Sequence, residues 1–128
     1  RFDYDALVLA THEGDLSQRD WRRSDPPAVE PAALAWLAEH GVRHLLIDLP
    51  SVDPEEDGGA LAAHRAFWGL PLGSTALADA RHAGASITEL IQVPTDCADG
   101  CYRLNLSLAP MHGDAVPSRP ILFPAEQG

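Results

Sequence analysis

Residues 45–68, LLIDLPSVDPEEDGGALAAHRAFW, constrain this chain more than any other stretch. Leu45-Leu46-Ile47 is an apolar run without alternation, the pattern of a strand covered on both faces. Pro50, Ser51 and Asp53 follow as a sharp polar turn, and Glu55 to Gly59 as an acidic, glycine-rich loop. A short helix of about residues 60–68, carrying His64, closes the stretch. Strand, polar loop and helix in that order point to an α/β fold, in which ligands collect outside the carboxyl ends of the strands.

The flanking sequence extends this unit. Asp5 to Thr11 reads as a strand. Residues 12–29 are polar and turn-rich, a long loop of the kind that is often functional. Pro31 suits a first helical position, Leu34, Trp36, Leu37 and His40 follow at helical spacing, and Gly41 supplies the stop. Val42 to Leu49 is then a second strand, so strand–helix–strand implies a parallel crossover. Thr75 to Ala80 has the makings of a helical turn. Ala85 to Val93 reads as a third strand, and Asp99-Gly100 as a reversal. Tyr102 to Ala109 alternates cleanly, which predicts an antiparallel partner for that third strand. Ser118 to Pro124 adds a last edge strand. The expected fold is α/β, with a mixed sheet and two main helices, in one domain spanning residues 1–128.

The net charge of −10 over 128 residues excludes a basic face for nucleic acid or for an anionic membrane. No apolar run approaches the length of a membrane span, and the N-terminal residues carry no signal-peptide core. Two cysteines make no disulfide framework. Free thiols fit a cytoplasmic protein, which is the expected location.

Two residues stand out for chemistry. His64 shares a helical face with Leu61 and Trp68, by i, i+3, i+7 spacing, and so points toward the core or toward a site that the core borders. The plainer account is a core histidine satisfied by a backbone carbonyl. Glu89 lies between Ile87 and Ile91 on one face of the third strand. A carboxylate there needs a raised pKa, a basic partner such as Arg65, Arg81 or Arg119, or a metal ion. One imidazole and one carboxylate are the ligand mix of zinc and manganese hydrolase sites, although a catalytic zinc normally takes three protein ligands. Asp48, at a strand end, is a candidate acceptor behind a metal ligand. Ser51 and Asp53 are read first as loop-capping side chains, because Pro50-Ser51-Val52 lacks the glycine-flanked elbow of serine hydrolases. Glu55 to Asp57 is a solvated face. His12 and Asp15, at the end of the first strand, are read as plain loop, and His40, His44, His82 and His112 have no evident partners.

Taken together, LLIDLPSVDPEEDGGALAAHRAFW, ASITELIQVP, DGCYRLNLSLAP and DAVPSRPIL resemble, in that order, the later half of the cyclase family of metal-dependent hydrolases, which includes bacterial kynurenine formamidase and isatin hydrolase. The resemblance runs from about Ala6 to Leu122. It implies a swivelling β/β/α fold, incomplete here, and hydrolysis of a carbon–nitrogen bond in a formamide or cyclic amide at a centre of one or two divalent ions. Zinc is the first candidate and manganese the second. By this similarity His64 and Glu89 match family metal ligands. The family's main motif, His-x-Gly-Thr-His-x-Asp, is absent from this sequence.

The resemblance therefore implies the C-terminal part of such an enzyme, either truncated or a natural remnant. The start inside a strand-forming segment, without an initiating methionine, favours truncation. The remaining ligands and the acid/base histidine are missing, so the chain alone is expected to be inactive. A non-catalytic remnant acting as a binding or assembly module is the alternative. A flavodoxin-like binding domain is disfavoured, since no glycine-rich phosphate loop follows the first strand. The expected partners are a small-molecule amide substrate and further copies of the chain in a homo-oligomer, because exposed sheet edges invite pairing.

Overall fold

Three short parallel strands organise the first part of the chain. They are β1 (Ala6–Leu9), β2 (His44–Ile47) and β3 (Ser86–Thr88), in the order β1-β2-β3. A computed structural model describes residues 1–125, and these divide into two compact units, residues 1–95 and residues from 96 onward.

The central position of β2 explains its unbroken apolar run. Leu45, Leu46 and Ile47 are all fully buried, with β1 on one edge and β3 on the other. The first crossover holds α1 (Pro31–Glu39). Proline at its first position gives up an N–H that would have had no helical partner, and Gly41 ends it at φ +105°, a conformation that disfavours a side chain. The second crossover holds α2 (Ala62–Trp68). Leu34 and Ala38 of α1 and Ala63 and Phe67 of α2 are buried with Val42, Leu45, Ile47, Leu49 and Val52 in one core. Two single 3₁₀ turns lie outside this frame, at Trp21–Arg23 in the long loop and at Leu77–Asp79 inside the expected helical turn.

Several sequence expectations need correction. The third strand is three residues long and ends before Glu89, because Leu90 takes the left-handed region (φ +55°) and breaks the alternation before Ile91. Leu61 does not belong to the buried face of α2. It precedes the helix at φ +48° and is exposed, and Ala63 and Phe67 face the core instead. His64 thus sits beside the core-facing row.

In the second unit, β4 (Tyr102–Leu108) pairs antiparallel with β5 (Ser118–Pro124), with Leu104 opposite Leu122 and Leu106 opposite Pro120. The partner of β4 is therefore β5, and the third strand pairs in parallel with β2. The alternation of β4 correctly signals an antiparallel pair but carries no information about which strand completes it. Proline is tolerated in β5 because each strand of a two-stranded ribbon has a free edge. Cys97 and Cys101 are both free thiols. Among the described residues, no helix is long and apolar enough to cross a membrane.

Candidate functional site

The carboxyl ends of β2 and β3 and the N-terminal turn of α2 bring Asp53, His64 and Glu89 together. Asp53 is the hub. It is 4% exposed and accepts hydrogen bonds from Ala63 N (2.6 Å) and His64 N (3.2 Å), so it caps α2 from eight residues upstream of that helix's own cap position, Leu61. The same carboxylate meets the imidazole, with Oδ2 2.6 Å from His64 Nδ1. Burial opposes ionisation of Asp53, but the hydrogen bonds and charge of His64 and the Ala63 amide outweigh it and hold its carboxyl below the usual range.

The ionised carboxylate only accepts, so His64 carries a proton on Nδ1. Its other nitrogen then points at Glu89, whose Oε1 stands 3.4 Å from Nε2. Glu89 is itself anchored, Oε1 accepting from Val52 N at 2.8 Å. The ring of Trp68 flanks the imidazole at 5.4 Å between centroids. Within the first unit, neither Arg65 nor Arg81 pairs with Glu89 among the described residues. Arg65 donates to the carbonyls of Ala60, Pro71 and Ser74, and Arg81 faces Glu39 at 4.0 Å.

In a neutral His64 the Nε2 lone pair and the Glu89 carboxylate would both be acceptors facing each other. Either a second proton or a cation resolves that opposition. The spacing suits a cation, since two donor atoms on a tetrahedral zinc with bonds of about 2.0–2.1 Å stand about 3.3 Å apart. The donor types also fit, as does a carboxylate behind the histidine's other nitrogen. The set is short in number, however. Among the described residues no group of three His, Cys, Asp or Glu side chains is placed to hold a metal.

A second cluster lies at the end of β1. Asp48 is buried and accepts from Thr11 Oγ1 (2.7 Å), Thr11 N (2.8 Å) and His12 N (3.0 Å). These bonds overcome the burial that opposes its ionisation and keep its carboxyl below the usual range. Asp48 thus secures the β1 end and does not touch His64, contrary to the role expected for it. His12 is also more than plain loop. Its Nδ1 is 2.7 Å from Thr11 Oγ1, and its ring meets Trp21 edge-on at 5.4 Å. The long loop that follows is tied down by Gln92, which accepts from Leu16 N (2.8 Å) and donates to Gly14 O (3.1 Å).

Of the remaining candidates, Ser51 is a loop cap, its Oγ accepting from Asp53 N at 3.1 Å. His40 and His44 have local partners, the Trp36 carbonyl and the Ser86 hydroxyl. The residues that sequence reasoning undervalued are Asp53 and the Thr11–His12–Asp48 group. In both cases the signal was a carboxylate following a buried strand, which needs donors from somewhere in the fold.

Residues 3–54 match a family model, Cyclase, described as "Putative cyclase". The match covers less than half of the chain, takes in Thr11, His12, Asp48, Ser51 and Asp53, and ends before His64 and Glu89. It supports the cyclase family. No curated protein matches the chain.

Proposed function

We propose that this chain carries part of the metal centre of a cyclase-family hydrolase that cleaves a carbon–nitrogen bond in a formamide or cyclic amide. The observation that carries the reading is the 3.4 Å approach of His64 Nε2 to Glu89 Oε1, with Asp53 fixing the proton on Nδ1. The family match upstream of these residues supports it. Zinc is the first candidate, and manganese fits the same donors. His64 and Glu89 would hold the ion, which when bound polarises the amide carbonyl and lowers the pKa of a bound water.

The chain's own residues do the rest. Asp53 orients the imidazole and keeps the Nε2 lone pair available, Val52 N fixes one oxygen of Glu89, and Trp68 walls one side of the ring. Two protein donors are fewer than a catalytic zinc normally takes, so further ligands must come from outside these residues. That same shortfall favours the one alternative, a binding or assembly module on the same scaffold.

The test is release of formate from an aryl formamide. The natural gene product that contains this chain, whatever its length, is expected to show zinc-dependent turnover that falls by at least about 100-fold in His64→Ala. The 128 residues by themselves are expected to give no appreciable turnover. Metal-independent turnover, or turnover indifferent to His64, would overturn the hydrolase reading. A zinc-bound but inactive gene product would select the binding module.

A further inference from the structure

We propose that His12 is a second functional histidine, a proton acceptor at Nε2 whose tautomer is fixed by the hydrogen-bond sequence Asp48–Thr11–His12. The geometry leaves one consistent arrangement of protons. The Thr11 hydroxyl has a single hydrogen, and it donates that hydrogen to Asp48 Oδ1 at 2.7 Å. Asp48 cannot reverse the bond. Its other oxygen already accepts from two backbone amides, Thr11 N and His12 N, and the ionised carboxyl has no proton to give. Thr11 Oγ1 can therefore only accept from His12, so the proton of the neutral imidazole lies on Nδ1, 2.7 Å away. Nε2 is left with a lone pair and with no hydrogen-bond partner among the described residues.

The surroundings suit proton transfer. The ring is held by Trp21, over which the Arg19 guanidinium lies 4.3 Å from the centroid. His12 is neither sealed in the core nor free in solvent, with 18% of its side chain exposed. Taking a proton from an O–H or N–H of a ligand would leave the bonding pair on the ligand's oxygen or nitrogen. The resulting imidazolium faces the Asp48 carboxylate at 3.7 Å, which stabilises it. Of the described charged groups, Asp48 faces His12 directly and Arg19 lies across the Trp21 ring. Because β1 and β2 run parallel, the cluster opens at the carboxyl end of the sheet, the end from which Asp53 and Glu89 also come. The ligand's identity rests on the hydrolase reading, under which the proton donor is a water or an amide. The tautomer does not depend on it.

The experiment is imidazole nitrogen NMR on the full 128-residue chain, above the pH at which its histidines are protonated. His12 is expected to show a protonated Nδ1 and a bare Nε2. Thr11→Val removes the relay with little change of shape and should shift the population to Nε2–H, whereas Thr11→Ser should restore the parent pattern. Carbethoxylation of His12 by diethyl pyrocarbonate should slow severalfold in Thr11→Val and recover in Thr11→Ser. A parent His12 protonated at Nε2, or one indifferent to Thr11→Val, would overturn the proposal. Adding zinc to the same sample separates the two ideas. It should move the His64 nitrogens and not those of His12, so a silent His64 counts against the metal centre and leaves the His12 result standing.

Discussion

Replacing Asp53 with alanine is expected to cost about 3 kcal/mol of folding stability, since bonds to a charged acceptor contribute about 1.5–3 kcal/mol each and buried donors left unpaired cost about 1–3. Three donors lose their partner at once, Ala63 N, His64 N and His64 Nδ1, and the first of these is buried. Asp53→Asn keeps an accepting oxygen and should cost about half as much, while Ser51→Ala, which removes one loop bond, should cost less than about 1 kcal/mol. The deficit has a defined pH dependence. The folded-state pKa of Asp53 is depressed, so its contribution is fully present above the unfolded value of about 3.9 and is lost as pH falls through the folded value. Denaturant titrations should therefore show parent and Asp53→Ala far apart near neutrality and converging below about pH 4. A constant gap down to strong acid would mean that the carboxylate charge is not what caps α2.

Phe67→Ala should be at least as damaging, by about 3–5 kcal/mol, the range for removing a large buried side chain without collapse of the space. Phe67 is fully buried and belongs to the core shared by both helices and β2. It is also three residues along α2 from His64, so it seats the turn that presents the imidazole. Phe67→Leu, closer in volume, should cost less than about 1.5 kcal/mol. A shift of the denaturation midpoint at unchanged slope reads the loss directly. A cost under 1 kcal/mol would place α2 outside the cooperative core.

The parts of this fold that were legible in sequence are those written locally. Pro31 and Gly41 bracket α1, and the unalternating Leu45–Ile47 run gives β2 its central place. Sequence singled out His64 and Glu89, and the structure brings them to 3.4 Å, although Glu89 lies past the end of β3 and not between isoleucines on a strand face. What escaped depends on backbone turns that composition does not announce. Leu61 and Leu90 take left-handed conformations without being glycine, and these two turns set where α2 begins and where β3 ends. The pairing of β4 with β5 escaped for a different reason, since alternation specifies a face and not a partner. The Thr11–His12–Asp48 group spans 37 positions in sequence and exists only once β1 lies beside β2.

The central claim is that His64 and Glu89 are metal donors, and metal content tests it most directly. The natural gene product that contains this chain and its His64→Ala and Glu89→Ala variants are each equilibrated with zinc, passed through a desalting column and measured by elemental mass spectrometry, with circular dichroism to confirm that the variants fold. The account predicts zinc retained by the parent and lost from both folded variants. Zinc absent from the parent, or retained equally by all three, would contradict it.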